Sequence, residues 1–210
     1  MARRIDCWAD VCCPFTYVGL VRLLAARDER GSDASIVVHA WPLELVNDRP
    51  LDPHHVGREI EAIVASVAPD LFAGFDASTF PATSLPAMAL AAQAYAAGGT
   101  ALGEAVSMDL RRAVFESGQD VSQPDVLDAI AAAHGIDRDD GVGSAVPPVV
   151  ADDYAQGRAR GVIGSPHFFV EGADWFCPVL EISQNDGVFH VETSPEAVAT
   201  FLDTCLGPDV

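Results

Sequence analysis

The sequence predicts an α/β protein: a strand–helix–strand unit, a long helical insertion, and a closing strand–strand–helix unit. Three observations carry this. In the first 45 residues two apolar runs bracket a stretch whose apolar residues recur at helical spacing. An alanine-rich block from about 52 to 160 is marked by helix caps and stops. Apolar runs bounded by turn residues return after Gly164 and lead into one last capped helix.

Residues 4–9 form a first strand, placed by their position before Asp10 and two adjacent cysteines. From 15 to 30, Tyr17, Val18, Leu20, Val21, Leu23 and Leu24 mark a helix that Gly31 stops. Residues 35–43 are rich in β-branched side chains and read as a buried strand ended by Pro42. Two strands joined through a helix should lie parallel with a right-handed crossover. Asp52 and Pro53 read as an N-cap and first helical residue, with the helix continuing over 56–67. The aromatic, turn-rich residues 72–81 read as an irregular loop. Ser84 caps a helix through 87–95 that ends at Gly98-Gly99, and Thr100 caps another over 101–117, stopped at Gly118. Ser122 to Asp125 resembles a capping box for a helix ending at His134-Gly135. Residues 137–143 read as an exposed acidic loop. Residues 164–170 form a strand, 175–182 a partner antiparallel to it, and 187–192 a further short strand. Ser194 and Pro195 open the last helix, 196–205.

Composition narrows the function classes. Of 210 residues, 31 are acidic and 12 are arginine, with no lysine, for a net charge of −19. That excludes a basic face for nucleic-acid phosphates and disfavours an anionic membrane surface. No apolar run approaches the ~20 residues a bilayer span needs. The N-terminal apolar run is too short for a signal peptide, so the expected location is cytoplasmic. Five cysteines leave at least one unpaired in a monomer, and free thiols are the expectation in a reducing compartment. No Cys/His spacing resembles a zinc site, and His54-His55 reads as a solvated pair.

The chemistry gathers at Asp10-Val-Cys12-Cys13-Pro14-Phe15-Thr16-Tyr17. A thiol at a helix start meets unpaired N–H groups and the positive end of the helix dipole. Cys13 is therefore expected to titrate below the ordinary thiol value of ~8.5. Pro14 suits the first helical position, having no N–H to lose there, and the Thr16 hydroxyl lies about one turn from the sulfur. Asp10 caps or buttresses the turn; Tyr17 packs with its hydroxyl in a polar spot. A vicinal Cys12–Cys13 disulfide would be strained and easily reduced, so Cys12 is an auxiliary candidate only. Cys7 reads as a core residue of the first strand, and Cys177 and Cys205 as structural or incidental.

The motif Asp10-x-x-Cys13-Pro14-x-x-Tyr17-x-Gly19 resembles the DsbA-like thioredoxin-fold family, in particular its FrnE-like branch. Trp41 to Leu45, Arg112 to Gly118 with Asp120-Val121, and Gly161 to Val170 resemble that branch's second strand, helical insert and cis-proline loop, in the same order. The resemblance implies a thioredoxin-like fold (βαβ … ββα) over 1–50 and 160–210, with a helical subdomain inserted at 51–159. It places the redox-active cysteine at Cys13 and the cis-proline at Pro166. The family's resolving cysteine falls on Thr16, so the motif Cys-Pro-Phe-Thr carries one thiol. Catalytic candidates are thus Cys13, Thr16 and Pro166. Candidates for substrate contact are Pro14, Phe15, Ser165, His167 and Trp41. His167 either faces Cys13 as an acid/base or points away across its strand. Trp41, Phe75, Phe80 and Trp175 either line a cleft under the helical lid or are simply core.

Three functions follow. The first is a thiol–disulfide oxidoreductase in which Cys13 forms a mixed disulfide that an external thiol resolves. The second is an enzyme like the kappa-class glutathione transferases or 2-hydroxychromene-2-carboxylate isomerases, holding a thiol cofactor at the same helix start. The third is a non-catalytic binding protein of the same fold. The expected partner is a small thiol or disulfide, glutathione or an equivalent, or a protein thiol, with no tightly bound cofactor and no metal. Nucleic acid and membrane are not expected; a homodimer is admitted.

Overall fold

In the computed structural model the described residues are 3–138, 145–186 and 188–208. From residue 139 the expected loop at 137–143 lies outside them, as does Gly187 of the last strand. The chain opens with β1 (Arg4–Ala9), α1 (Pro14–Glu29) and β2 (Ser35–Ala40), and β1 and β2 pair in parallel. A short α2 (Leu43–Val46) and α3 (Pro53–Ser66) lead through a 3₁₀ turn at Ala77–Thr79 into α4 (Leu85–Ser117). Then come α5 (Pro124–Ala133), α6 (Pro148–Arg160), β3 (His167–Val170), β4 (Ala173–Phe176), β5 (Glu181–Asn185), β6 (Val188–Glu192) and α7 (Pro195–Leu206). The main sheet runs β2-β1-β3-β4, with β3 antiparallel to both neighbours. This is the thioredoxin-like fold with a helical insertion.

Alternation along β1 decides which helices each face receives. Ile5, Cys7 and Ala9 join the large core with α1, α4 and α7 residues. Trp8 points the other way, into a second cluster with Trp41, Val162 and Phe169 beneath α6. Gly157 of α6 sits on this cluster, where a Cβ would lie 2.6 Å from Trp8 and 2.8 Å from Trp41. On the β2 edge, the Tyr95 hydroxyl accepts from the Val38 amide and donates to the Ile36 carbonyl, at 3.0 and 3.2 Å. Two edge groups are thereby satisfied without a further strand.

Three local expectations change. The strand read at 175–182 is two elements. Cys177 adopts a left-handed backbone (φ 44°) and Pro178 has no N–H, so β4 stops at Phe176. The chain resumes as β5, which pairs with β6 in a separate hairpin. The division read between the helices at 87–95 and 101–117 is present: α4 is two helical segments that meet at a kink where Gly98 and Gly99 leave helical geometry. Ser84 stands at the N-cap of α4 but has helical backbone angles (φ −98°, ψ −6°), and its side chain caps nothing there. The capping box at Ser122 does not form: the N-cap of α5 is Gln123, and Asp120 takes the Ser122 amide instead. By contrast, Asp52 accepts from His54 and Ser194 from Ala197, as N-caps do.

Candidate active site

Asp10, the first residue beyond β1, is the structural centre of the site. Its carboxylate is buried and accepts three hydrogen bonds: from the Cys12 amide (2.8 Å), the Leu43 amide (2.7 Å) and the Ser84 hydroxyl (3.1 Å). One side chain thus ties the turn before α1 to the starts of α2 and α4, which is where the Ser84 hydroxyl goes. Arg111 of α4 comes up from below, fully buried, donating to Ser107 and to the Asp10 carbonyl at 3.3 Å. Its Nε has no partner among the described residues. Burial pushes Asp10 up to about 6 against the opposing pull of the Leu43 and Cys12 amides. Burial likewise lowers Arg111.

Cys13 is the N-cap residue of α1, with an extended backbone and Pro14 behind it. Its S–H donates to the Ser165 carbonyl at 3.2 Å. The Ser165–Pro166 peptide is cis. The Ser165 hydroxyl accepts from the Asp10 amide and shares a 2.9 Å bond with the Thr16 hydroxyl. Cys13 and Thr16 are thus brought to Ser165 across 152 and 149 residues of chain. The expected low Cys13 titration is not what the environment produces. Burial raises the thiol, outweighing the help of Ser165 and Thr16, and the Glu59 carboxylate adds to the rise. The helix dipole is real, but the thiol of a residue only 3 % exposed loses more hydration than the dipole returns. All five cysteines are free thiols, and the Cys12 thiol is raised further, by burial and then by Asp10.

The Cys13 sulfur borders a cleft of about 430 Å³ walled by Pro14, Phe15, Leu43, Asn47, Leu51, His55, Glu59 and Ser165, among others. That is the size class of small-molecule pockets. Two expected contact residues are absent from it. Trp41 lies in the cluster beneath α6, against Tyr154. His167 shares that face: its ring packs on Phe169, Nδ1 accepts from the Ile163 amide and Nε2 meets Asp174 at 3.1 Å. Strand alternation turns it away from Cys13. Phe75 and Phe80 pack edge to face with each other, and Trp175 packs against Phe201. Tyr17 stacks on Phe115 and donates to Glu116 at 2.9 Å, the polar spot expected of it.

Sequence reading missed Glu59, His55 as a cleft residue, Arg111 and Ser84. Glu59 had one faint signal: it follows Val56 by three residues and precedes Ile60, so it sits at the border of the buried face of α3. Arg111 had a similar one, an arginine between the buried Met108 and Phe115. Among the described residues, no cluster of His, Cys, Asp and Glu is placed to hold a metal ion, and no helix is long and apolar enough to cross a membrane.

A helix-start sulfur set against a cis-proline loop in a thioredoxin-like sheet defines the thiol–disulfide oxidoreductase class of fold. The chain belongs to the DSBA-like thioredoxin domain family, whose model matches residues 4–185. Among solved structures it is similar to the cytosolic disulfide reductase DsbM from Pseudomonas aeruginosa, at 21 % identity and TM-score 0.63, over 96 % of this chain and 97 % of that one. DsbM with GSH matches at 21 % identity and TM-score 0.61, over 82 % and 88 %. A 2-hydroxychromene-2-carboxylate isomerase matches at 17 % identity and TM-score 0.62, also over 82 % and 88 %. At these identities the likeness is one of fold. A comparison with curated proteins returned no match.

Proposed function

We propose that the protein is a single-cysteine thiol–disulfide exchange enzyme for a small thiol or disulfide in the cytoplasm, the FrnE-like one-thiol variant of its family. The observation that carries this is the convergence of Cys13 and Thr16 on Ser165: one sulfur at the α1 start, a hydroxyl where a resolving sulfur would stand, and a small-molecule cleft in front. Cys13 gives up its proton, and its thiolate attacks one sulfur of a disulfide. The Cys13–S bond forms, the substrate S–S bond breaks, and the leaving sulfur takes a proton to depart as a thiol. An external thiol then attacks the mixed disulfide, leaves as a disulfide with the bound half, and returns Cys13 to the thiol. On ionising, the sulfur exchanges its bond to the Ser165 carbonyl for the Thr16 amide and hydroxyl. Glutathione is a fitting partner, since the similar DsbM has a structure with GSH.

A second reading is favoured by the raised Cys13 thiol: a protonated Cys13 beside a bound thiol cofactor, as an isomerase of this fold would need. Incubation with glutathione disulfide, followed by intact mass, separates the two. The exchange enzyme gains one glutathione, which persists in Cys12→Ser and disappears in Cys13→Ser. Saturable glutathione binding without an adduct supports the isomerase-like reading. Neither adduct nor binding overturns both.

A further inference from the structure

The cleft in front of Cys13 contains a carboxylate with no adequate partner. Glu59 projects from α3 into the wall of the cleft, its side chain only 16 % exposed. Among the described residues its one contact is the Nε2 of His55, at a long 3.4 Å. Arg58, which can only donate, stands 3.4 Å from His55 Nδ1, on the ring side away from Glu59. His55 itself is nearly half exposed and packs edge-on against Phe189. The other charges of the cleft are Asp52, already committed as the α3 cap, and Arg49.

This arrangement is unfavourable twice over for an ionised Glu59. Burial pushes Glu59 up to about 7, with Arg58 only partly offsetting it. The same charge opposes ionisation of Cys13, the sulfur the proposed reaction needs. A cation bound between the two removes both penalties, because it restores solvation to the carboxylate and cancels the field at the sulfur.

We infer that Glu59 is a cation-recognition residue of the Cys13 cleft: it takes the ammonium group of a thiol or disulfide whose sulfur reacts at Cys13. The substrate class is therefore an aminothiol or its disulfide. Binding of such a molecule, glutathione with its ammonium group included, prepares Cys13 for attack, whereas a thiol with a carboxylate and no ammonium meets a like charge. The inference rests on the single-cysteine reading above.

Three small disulfides of different charge test it: cystamine (cationic), hydroxyethyl disulfide (neutral) and dithiodiglycolate (anionic). The rate of mixed-disulfide formation on Cys13 is followed by intact mass. Each rate is divided by that of the same reagent with a short unstructured cysteine peptide, which removes intrinsic reactivity. The expected normalised order is cationic, neutral, anionic, with about tenfold between the extremes, the size of one charge contact in a partly dry cleft. In Glu59→Gln the order collapses to within about threefold while hydroxyethyl disulfide still labels Cys13. Glu61→Gln, on the exposed face of the same helix, keeps the full order. If Glu59→Gln fails to fold, Glu59→Asp, which withdraws the charge by one methylene, weakens the order instead.

An order that survives unchanged in Glu59→Gln overturns the inference and assigns the effect to the overall net charge of −19. Equal normalised rates in the wild type, with Cys13 labelled, overturn it and leave the exchange chemistry standing. Failure of every reagent to label Cys13 overturns the exchange reading as well.

Discussion

Asp10→Ala should destabilise the fold strongly at mildly acidic pH and weakly above neutrality. The substitution leaves the amides of Cys12 and Leu43 buried without an acceptor, at about 1–3 kcal/mol each, or about 4 kcal/mol together. The Ser84 hydroxyl is free to rotate and adds little. Against this stands the cost of the carboxylate itself. Its rise from 3.8 to about 6 corresponds to about 3 kcal/mol against the ionised folded state. Between those two values the folded protein holds a proton that the unfolded chain has lost. Wild-type stability therefore declines as pH rises through that window, and the variant lacks the decline. The expected destabilisation is about 3 kcal/mol near pH 4.5, falling to about 1 kcal/mol near pH 7.5. Urea unfolding of both proteins at the two pH values, with unchanged m, reads the difference directly. A destabilisation that is equal at both, or that grows with pH, refutes the reasoning: Asp10 would then be stabilised as an anion, and its amide bonds and Arg111 would outweigh burial.

Two further outcomes are expected. Gly157→Ala drives a Cβ into Trp8 and Trp41 and should cost about 1–3 kcal/mol by overpacking, read as a melting temperature lower by several degrees; an unchanged value would mean that α6 is not seated on those rings. Thr16→Cys places a second thiol one turn from Cys13 in a fully buried position. Mild oxidation should then give an internal disulfide by intact mass and a shorter-lived mixed disulfide with glutathione. A stable mixed disulfide with no internal bond would place the sulfur at position 16 out of reach of Cys13.

Element type and order were legible in the chain because they depend on local signals. The β-branched run at 35–40, Asp52 before Pro53, Ser194 before Pro195 and Gly31 after the first helix act within a few residues of themselves. The errors fell where a local signal had a competitor, near or distant. Ser84 and Ser122 are good caps by type, yet Asp10 takes the first hydroxyl and Asp120 the second's amide. Trp41 and His167 have the chemistry of a binding site, but sheet alternation commits both to the α6 face.

The sequence by itself determined the α/β order, the helix-start sulfur of Cys13 and the threonine three positions after it, because motif spacing is a property of the chain. Only the tertiary structure decided the state of that sulfur and what faces it. The Cys13 thiol is raised because packing removes its water, and Glu59 reaches its cleft because α3 folds across the α1 start. Burial and charge proximity are made by residues far apart in the chain, and no local pattern encodes them.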